Sequence, residues 1–364
     1  MNLCFVYPNE NNYSETFIRN HHKYLNPPHS LTGGWRAYKT KDNKSIFDFF
    51  LSEPIRIFLK RLFLDSYDKF YTKYLVKYLL KNKITVLLAE YGITGTCVMQ
   101  ACKEANVALI VHFHGFDASD RATLSLYEQK YKLLFQNAKA ICVVSKDMGN
   151  KLVELGAENS KIYNIPCGID FDTFQPKTYQ NGKIIIAVGR FAHKKAPYLT
   201  IKAFALVLKK EPNATLLMVG IGELLEECKQ LAKDLGISEK ILFLGVKPPD
   251  EVAKLLHQAD IFVQHSKEDP FTGDCEGTPN SILEASAVGL PIVSTYHAGI
   301  KEAVEHEKTG FLVDEGDFEK MAEYMILLLG NPLLREQFGK NGIEKMSKEY
   351  NVRTQIEKIK KLFI

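Results

Sequence analysis

HSKEDPFTGDCEGTPNSILEASAVG, residues 265–289, decides how the rest of the chain is read. A polar loop broken by Pro270, Gly273 and Gly277 runs into Pro279, which suits the first position of a helix because its missing N–H costs nothing there. Residues 281–287 continue as helix and Gly289 stops it. The first N–H groups of such a helix have no carbonyl partner within it. With the positive end of the helix dipole, those around Thr278, Asn280 and Ser281 make a site for a phosphate. Glu276 and Glu284 flank this start, and apolar strands are expected at 261–264 and 290–294. The alternative is a surface loop with solvated acids.

The same rhythm runs outward in both directions. In the second half, strands expected at 183–188, 215–219, 241–244, 261–264 and 291–294 alternate with helices at 197–210, 223–235 and 249–258. In the first half, strands at 3–7, 85–90, 107–113 and 140–144 alternate with helices from Ser14 to about 25, at 96–106 and at 120–136. Residues 91–95 read as a loop, 44–83 as helical, and 318–364 as entirely helical. Alternation of this kind means parallel strands with crossover helices, an α/β chain with doubly wound sheets. Residues 164–182 are poorly periodic, so a domain boundary is expected at 176/177.

At 364 residues, 46% hydrophobic and 25% charged, the chain suits two soluble domains of ordinary size. No uncharged apolar run is long enough to span a bilayer. Residues 1–8 lack the basic start of a signal peptide and read as a first strand, so a cytoplasmic location is expected. Seven scattered cysteines without paired spacing read as reduced packing residues. The net charge of +4 does not argue for nucleic acid. Residues 44–83 hold nine basic and four acidic residues among many aromatics. That pattern suits helix packing, with the cations forming a weak membrane-facing patch.

Ligands of open parallel sheets bind beyond the carboxyl ends of strands. This rule selects Gly189-Arg190 with Lys194-Lys195, Gly220-Ile-Gly222, Gly245-Val246-Lys247 and the 265–280 loop in the second half. In the first half it selects 9–16, 91–95, His112–Asp117 and Ser145. Arg190 and Lys195 beside a helix start suit a diphosphate. Glu276 and Glu284 would then accept hydrogen bonds from hydroxyls of a sugar and a ribose, because a carboxylate repels phosphate. Gly220-Ile-Gly222 lacks the third glycine of a dinucleotide fingerprint, since Leu225 stands there, and reads as a turn. Asp170-Phe-Asp172 has no other hard ligands near it in sequence, and the pair His112 and His114 lacks a partner of zinc-site spacing. His114, before a glycine at a strand end, reads as an acid/base or hydrogen-bonding group, or as a satisfied buried histidine.

Glu276-Gly-Thr-Pro-Asn-Ser-Ile-Leu-Glu284 resembles the E-x7-E signature of the retaining nucleotide-sugar glycosyltransferases of family 4, and Gly189-Arg190 with Lys195 resembles their diphosphate clamp. Ser14-Glu-Thr-Phe17, residues 89–95 (AEYGITG) and 112–117 (HFHGFD) are similar to the bacterial exopolysaccharide branch, with its colanic-acid and amylovoran transferases. The resemblance implies a GT-B architecture of two Rossmann-like domains facing across a cleft. Residues 1–176 would form the acceptor side, joined by a C-terminal helix at about 345–364, and 177–344 would bind the donor. It also implies roles. Gly189, Arg190 and Lys195 would serve the leaving diphosphate, Glu276 the transferred sugar, Glu284 the ribose and Val246 the base. Gly277, Thr278, Asn280 and Ser281 would supply the helix-start N–H groups. His114 would lie near the reacting sugar, with Glu15, Thr16 and Asp117 on the acceptor side.

The expected reaction moves a sugar, with retention, from a nucleotide-diphosphate sugar to a glycan or lipid-linked glycan, with no metal or other cofactor. One departure concerns Asn11-Asn-Tyr-Ser14, which stands where many relatives have a Gly-Gly turn. Rival readings are a nucleotide-sugar epimerase or hydrolase of the same fold, and a non-catalytic nucleotide-sugar-binding subunit.

Overall fold

The computed structural model describes residues 2–9, 15–47, 64–179 and 181–364. The expected cap Ser14, the loop Asn11-Asn-Tyr-Ser14 and residues 48–63 of the basic aromatic region lie outside them. The chain divides into two compact units. One comprises Met1–Ala118, Ala122–Ile165 and Ile356–Ile364; the other comprises Ser119–Arg121 and Pro166–Gln355. Residues 166–177 go with the second unit because their backbone is tied to it. Ile169 N–H donates to the Tyr350 carbonyl, Val352 N–H to the Ile169 carbonyl, and Lys177 N–H to the Val288 carbonyl.

In the first unit, β1 (Leu3–Val6), β2 (His29–Thr32), β3 (Lys39–Thr40), β4 (Val86–Glu90), β5 (Ala108–Phe113), β6 (Ala140–Val143) and β7 (Ile162–Asn164) form one sheet of order β3-β2-β1-β4-β5-β6-β7. All pairings are parallel except β2 with β3. β1, β4 and β6 are buried along their whole length, which is why they read as continuous apolar runs rather than alternating ones. The helix Leu64–Lys81 buries Tyr71, Leu75 and Leu79, spaced by four, and turns Lys69, Lys73 and Lys77 outward. Residues 44–47 are not helical, since Ser45 bridges Lys39.

In the second unit, β8 (Ile184–Val188), β9 (Thr215–Val219), β10 (Ile241–Phe243), β11 (Ile261–Val263), β12 (Ile292–Thr295) and β13 (Gly310–Val313) pair in the order β10-β9-β8-β11-β12-β13, all parallel. The order reverses between β8 and β11, and that point of reversal is where open α/β sheets bind ligands. Each face of the sheet carries a core. Phe204, Met218 and Met325 centre one, and Phe262, Leu256 and Leu283 the other. The helix Asn280–Val288 packs into the second core through fully buried Ile282 and Leu283, each contributing roughly 1.5–3 kcal/mol. Its first turn is therefore anchored.

Three boundaries differ from expectation. Pro279 precedes the helix instead of opening it, and Gly289 ends it with φ 99°. Residues 91–95 are no loop, because the helix Gly92–Glu104 follows β4 directly. The tail is three helices, Phe318–Gly330, Pro332–Glu349 and Val352–Lys361, broken at Asn331 and at Tyr350-Asn351. Asp170 is buried and receives the Asp172 N–H, while Asp172 pairs with Arg353, so both serve the chain's own structure. All seven cysteines are free thiols. No described helix is long and apolar enough to cross a membrane.

Candidate active site

The second unit builds its site where β8 and β11 part. The turn after β8 is possible only because glycines let backbones meet. A Cβ on Gly220, which has φ +133°, would stand 2.0 Å from the Gly189 carbonyl oxygen. A Cβ on Gly189 would stand 2.8 Å from Lys195 Cδ, so the lysine stem crosses directly over Gly189. Gly220-Ile-Gly222 is thus a platform under the 189–191 turn. The β10 loop adjoins it through the Gly220 N–H bond to the Gly245 carbonyl, leaving Val246 exposed next to it.

Lys195 Nζ lies 3.1 Å from Glu276 Oε1 and donates to Gln264 Oε1 at 3.3 Å. Ser281, in the first turn of the anchored helix, donates its hydroxyl to the same Gln264 oxygen at 3.1 Å. Lys194 pairs with Asp274 at 2.8 Å. Burial opposes ionisation of Glu276, yet Lys195 and then Lys194 hold its carboxyl down to about 2. Burial lowers the Lys195 ammonium and Glu276 pulls it back. Lys195, Glu276 and Ser281 therefore converge through Gln264. Arg190 is exposed and makes no ion pair among the described residues. It lines the same shallow pocket as Gly189, Lys195, Thr200 and Gln264.

Glu276 is also fixed from behind. Its N–H donates to His297 Nε2 at 3.1 Å, and His297 Nδ1 lies 2.6 Å from Glu315 Oε1. These partners assign the proton of a neutral His297 to Nδ1. Glu315 also accepts the Glu268 N–H at 3.1 Å. Gln264, His297 and Glu315 were not singled out from the sequence, though each follows a strand end.

Glu284 sits one turn into the helix, partly buried, and burial pushes its carboxyl up to about 7. An acid whose folded value is raised above 4.5 favours its neutral form in the folded chain. Its contribution to stability is full below 4.5 and lost as pH rises through about 7. A hydroxyl donor prefers the charged carboxylate. If Glu284 takes the ribose, as the family resemblance implies, nucleotide affinity should tighten by roughly fivefold as pH rises through about 7, and calorimetry of Glu284→Gln should show a flatter profile.

In the first unit, His114 follows β5 and its Nε2 lies 2.5 Å from Glu90 Oε2. Glu90, fully buried at the end of β4, meets His21 Nδ1 at 2.7 Å with its other oxygen. Burial opposes its ionisation, but His21 and His114 hold the carboxyl well below the usual range. Phe17 lies against the His114 ring at 4.2 Å and Tyr91 meets it edge-on at 4.9 Å. Tyr91 adopts φ 73°, a strained value for a non-glycine, and donates its hydroxyl to Glu15 at 3.0 Å. Thr16 opens the helix Thr16–Leu25. Asp117 is buried and its carboxylate accepts the N–H groups of Gly92, His114 and Gly115. It ties the start of the helix Gly92–Glu104 to the turn after β5, a bracing role in place of the expected acceptor contact.

Two doubly wound sheets in one chain, one with paired cations and acids at its point of reversal, define the GT-B class of glycosyltransferase folds. Glycosyltransferase Family 4 matches residues 36–173, and Glycosyl transferases group 1 matches residues 168–345. The chain belongs to these family-4-type glycosyltransferases. It is 29% identical over 248 residues to the amylovoran biosynthesis glycosyltransferase AmsK of Erwinia amylovora, covering 67% of this chain and 61% of that protein. The chain thus spans about three fifths of that relative's length. It is 26% identical to the Escherichia coli UDP-Gal:alpha-D-GlcNAc-diphosphoundecaprenol alpha-1,3-galactosyltransferase, over 80% of this chain and 78% of that protein. Anabaena Alr3699/HepE, solved in complex with UDP, superposes with a TM-score of 0.77 at 17% identity over 99% of both chains, a likeness of fold.

Proposed function

We propose that this protein is a hexosyltransferase that moves a sugar, with retention of anomeric configuration, from a nucleotide-diphosphate sugar to a growing lipid-linked glycan. The observation that carries the reading is the Lys195–Glu276 pair beside the anchored start of the helix Asn280–Val288, at the reversal point of a parallel sheet. Arg190 and Lys195, with the N–H groups of Gly277, Thr278, Asn280 and Ser281, receive the diphosphate. They offset the charge that develops as it leaves, so the electrostatic work falls to the chain itself with no metal or other cofactor in the step. Glu276 receives sugar hydroxyls and Glu284 those of the ribose, while Val246 lies against the base.

The acceptor is assigned to the first unit, where Glu90 fixes the His114 ring against Phe17 and Tyr91, with Glu15 and Thr16 nearby in the chain. A lipid-diphosphate acceptor is supported by the name of the Escherichia coli relative. The outward Lys69, Lys73 and Lys77 suit the cytoplasmic surface of an anionic membrane.

The test is transfer itself. Purified protein is incubated with a panel of nucleotide sugars and a polyprenyl-diphosphate-linked sugar, and products are read by mass and by anomeric NMR. We expect the acceptor to gain one hexose in the donor's anomeric configuration, at a rate that falls roughly 10²-fold or more in Glu276→Gln. Free sugar or an epimerised nucleotide sugar formed without acceptor would replace this reading with the hydrolase or epimerase.

A further inference from the structure

We propose that His21, Glu90 and His112 form a buried structural site for one divalent transition-metal cation of the zinc class. The residues come from the helix Thr16–Leu25 and from the ends of β4 and β5. They are all 0% exposed, and one potential ligand atom from each lies within 4.8 Å of the others. They are the one such group among the described residues.

The argument rests on where the protons are. His112 Nε2 lies 2.9 Å from the Ile165 carbonyl, an oxygen that can only accept, so Nε2 carries the proton. A neutral His112 then turns a bare lone pair on Nδ1 toward Glu90 Oε2, 4.0 Å away, and Nδ1 has no hydrogen-bond partner. Two acceptors face each other in a buried interior, an arrangement that costs free energy unless a cation, or a water donating to both, lies between them. Zinc–nitrogen and zinc–oxygen bonds of about 2.0–2.2 Å fit that gap after a contraction of roughly half an ångström.

Other features favour a metal. The bond from His112 to a backbone carbonyl is the outer contact that orients metal-bound imidazoles. His21 lies parallel to His112, with ring centroids 5.3 Å apart, and its Nε2 is likewise buried without a partner. His114 reaches the same carboxylate, giving three imidazoles around one Glu90. Nitrogen-rich sets of this kind select zinc, nickel or cobalt over magnesium or calcium. The three-ligand set is buried away from solvent, so the ion would act structurally, clamping the helix to two strand ends. The inference rests on its own geometry and metal readout, although Glu90 also holds His114, which the proposed function sets at the acceptor.

Tag-free full-length protein, dialysed against EDTA while folded, is analysed for metals by mass spectrometry. The same protein is unfolded, stripped and refolded with Co²⁺, whose visible d–d bands report a low-coordinate nitrogen and oxygen environment. We expect about one equivalent of zinc-class metal retained through dialysis and cobalt bands on refolding. Both should be lost in His112→Gln and His21→Gln and kept in His257→Gln. Less than about a tenth of an equivalent in the native protein, together with no cobalt bands in refolded wild type, would overturn the site in favour of a bridging water. Undiminished metal in both histidine variants would overturn it too. The wild-type cobalt result decides the matter even if the variants fail to fold.

Discussion

Lys195→Ala should lower turnover in the transfer assay by roughly 10²–10³-fold, equivalent to about 2.7–4 kcal/mol of transition-state stabilisation. Lys195 is coupled both to the acid Glu276 and, through Gln264, to the helix start at Ser281. In the proposed reaction the diphosphate is already anionic and gains further charge as the sugar departs. The part of the interaction that answers this added charge therefore acts on kcat more than on KM. A second effect has the same origin. Without Lys195 the buried Glu276 keeps only Lys194 as a nearby lysine, and its carboxyl should rise from about 2. Steady-state kinetics of Lys195→Ala, Glu276→Gln and the double variant should therefore be strongly non-additive. A rise in KM alone would mean that Lys195 binds substrate and transition state equally.

Gly220→Ala should destabilise the second unit by about 2–4 kcal/mol, whereas Gly236→Ala should cost only about 1 kcal/mol. Both glycines have positive φ, at 133° and 68°, so both substitutions carry backbone strain. They differ in surroundings. A Cβ on Gly220 meets the Gly189 carbonyl oxygen at 2.0 Å, and backbone cannot swing away as a side-chain tip can. A Cβ on Gly236 meets nothing within 4 Å. Urea unfolding followed by circular dichroism should therefore show a markedly larger midpoint shift for Gly220→Ala. Equal shifts would mean that strain alone, not the close approach of the two turns, demands glycine at 220. Because Gly189 also lies under the Lys195 stem, Gly220→Ala should weaken nucleotide binding even where the protein remains folded.

The second unit was the more legible from sequence, for physical reasons. Its strands are mostly apolar runs, and Pro197, Pro249 and Pro279 mark where helices begin. Gly189, Lys195, Glu276 and Ser281 could be gathered in advance because each follows a strand or opens a helix, and parallel topology sends all such positions to one edge. His297 and Glu315 obey the same rule but were missed. Glu315 follows β13, whose short run Gly310–Val313 has no period to betray it. The two-residue strand β3 was illegible for the same reason.

The grouping of His21, Glu90, His112 and His114 depends on the crossover that sets β4 beside β5 and lays the helix Thr16–Leu25 against them. Spacing along the chain therefore gives no hint of it, and His112 with His114 looked like half of a site with no other half. The strand-end rule picks out Asp117 and the resemblance puts it on the acceptor side, but three backbone N–H groups claim its carboxylate. Loop-internal bonding of that kind is invisible to a rule that knows only strand ends.

The most direct test of the account is a calorimetric titration of UDP, and in parallel GDP, ADP and dTDP, into wild-type protein and Lys195→Ala. If the turn after β8 and the start of the helix Asn280–Val288 hold a nucleoside diphosphate, wild type will bind at least one of the four. Lys195→Ala will then bind it at least about tenfold more weakly, a difference of roughly 1.4 kcal/mol. Equal affinity in the two proteins, or no binding of any of the four to wild type, would contradict the assignment of that site to the donor.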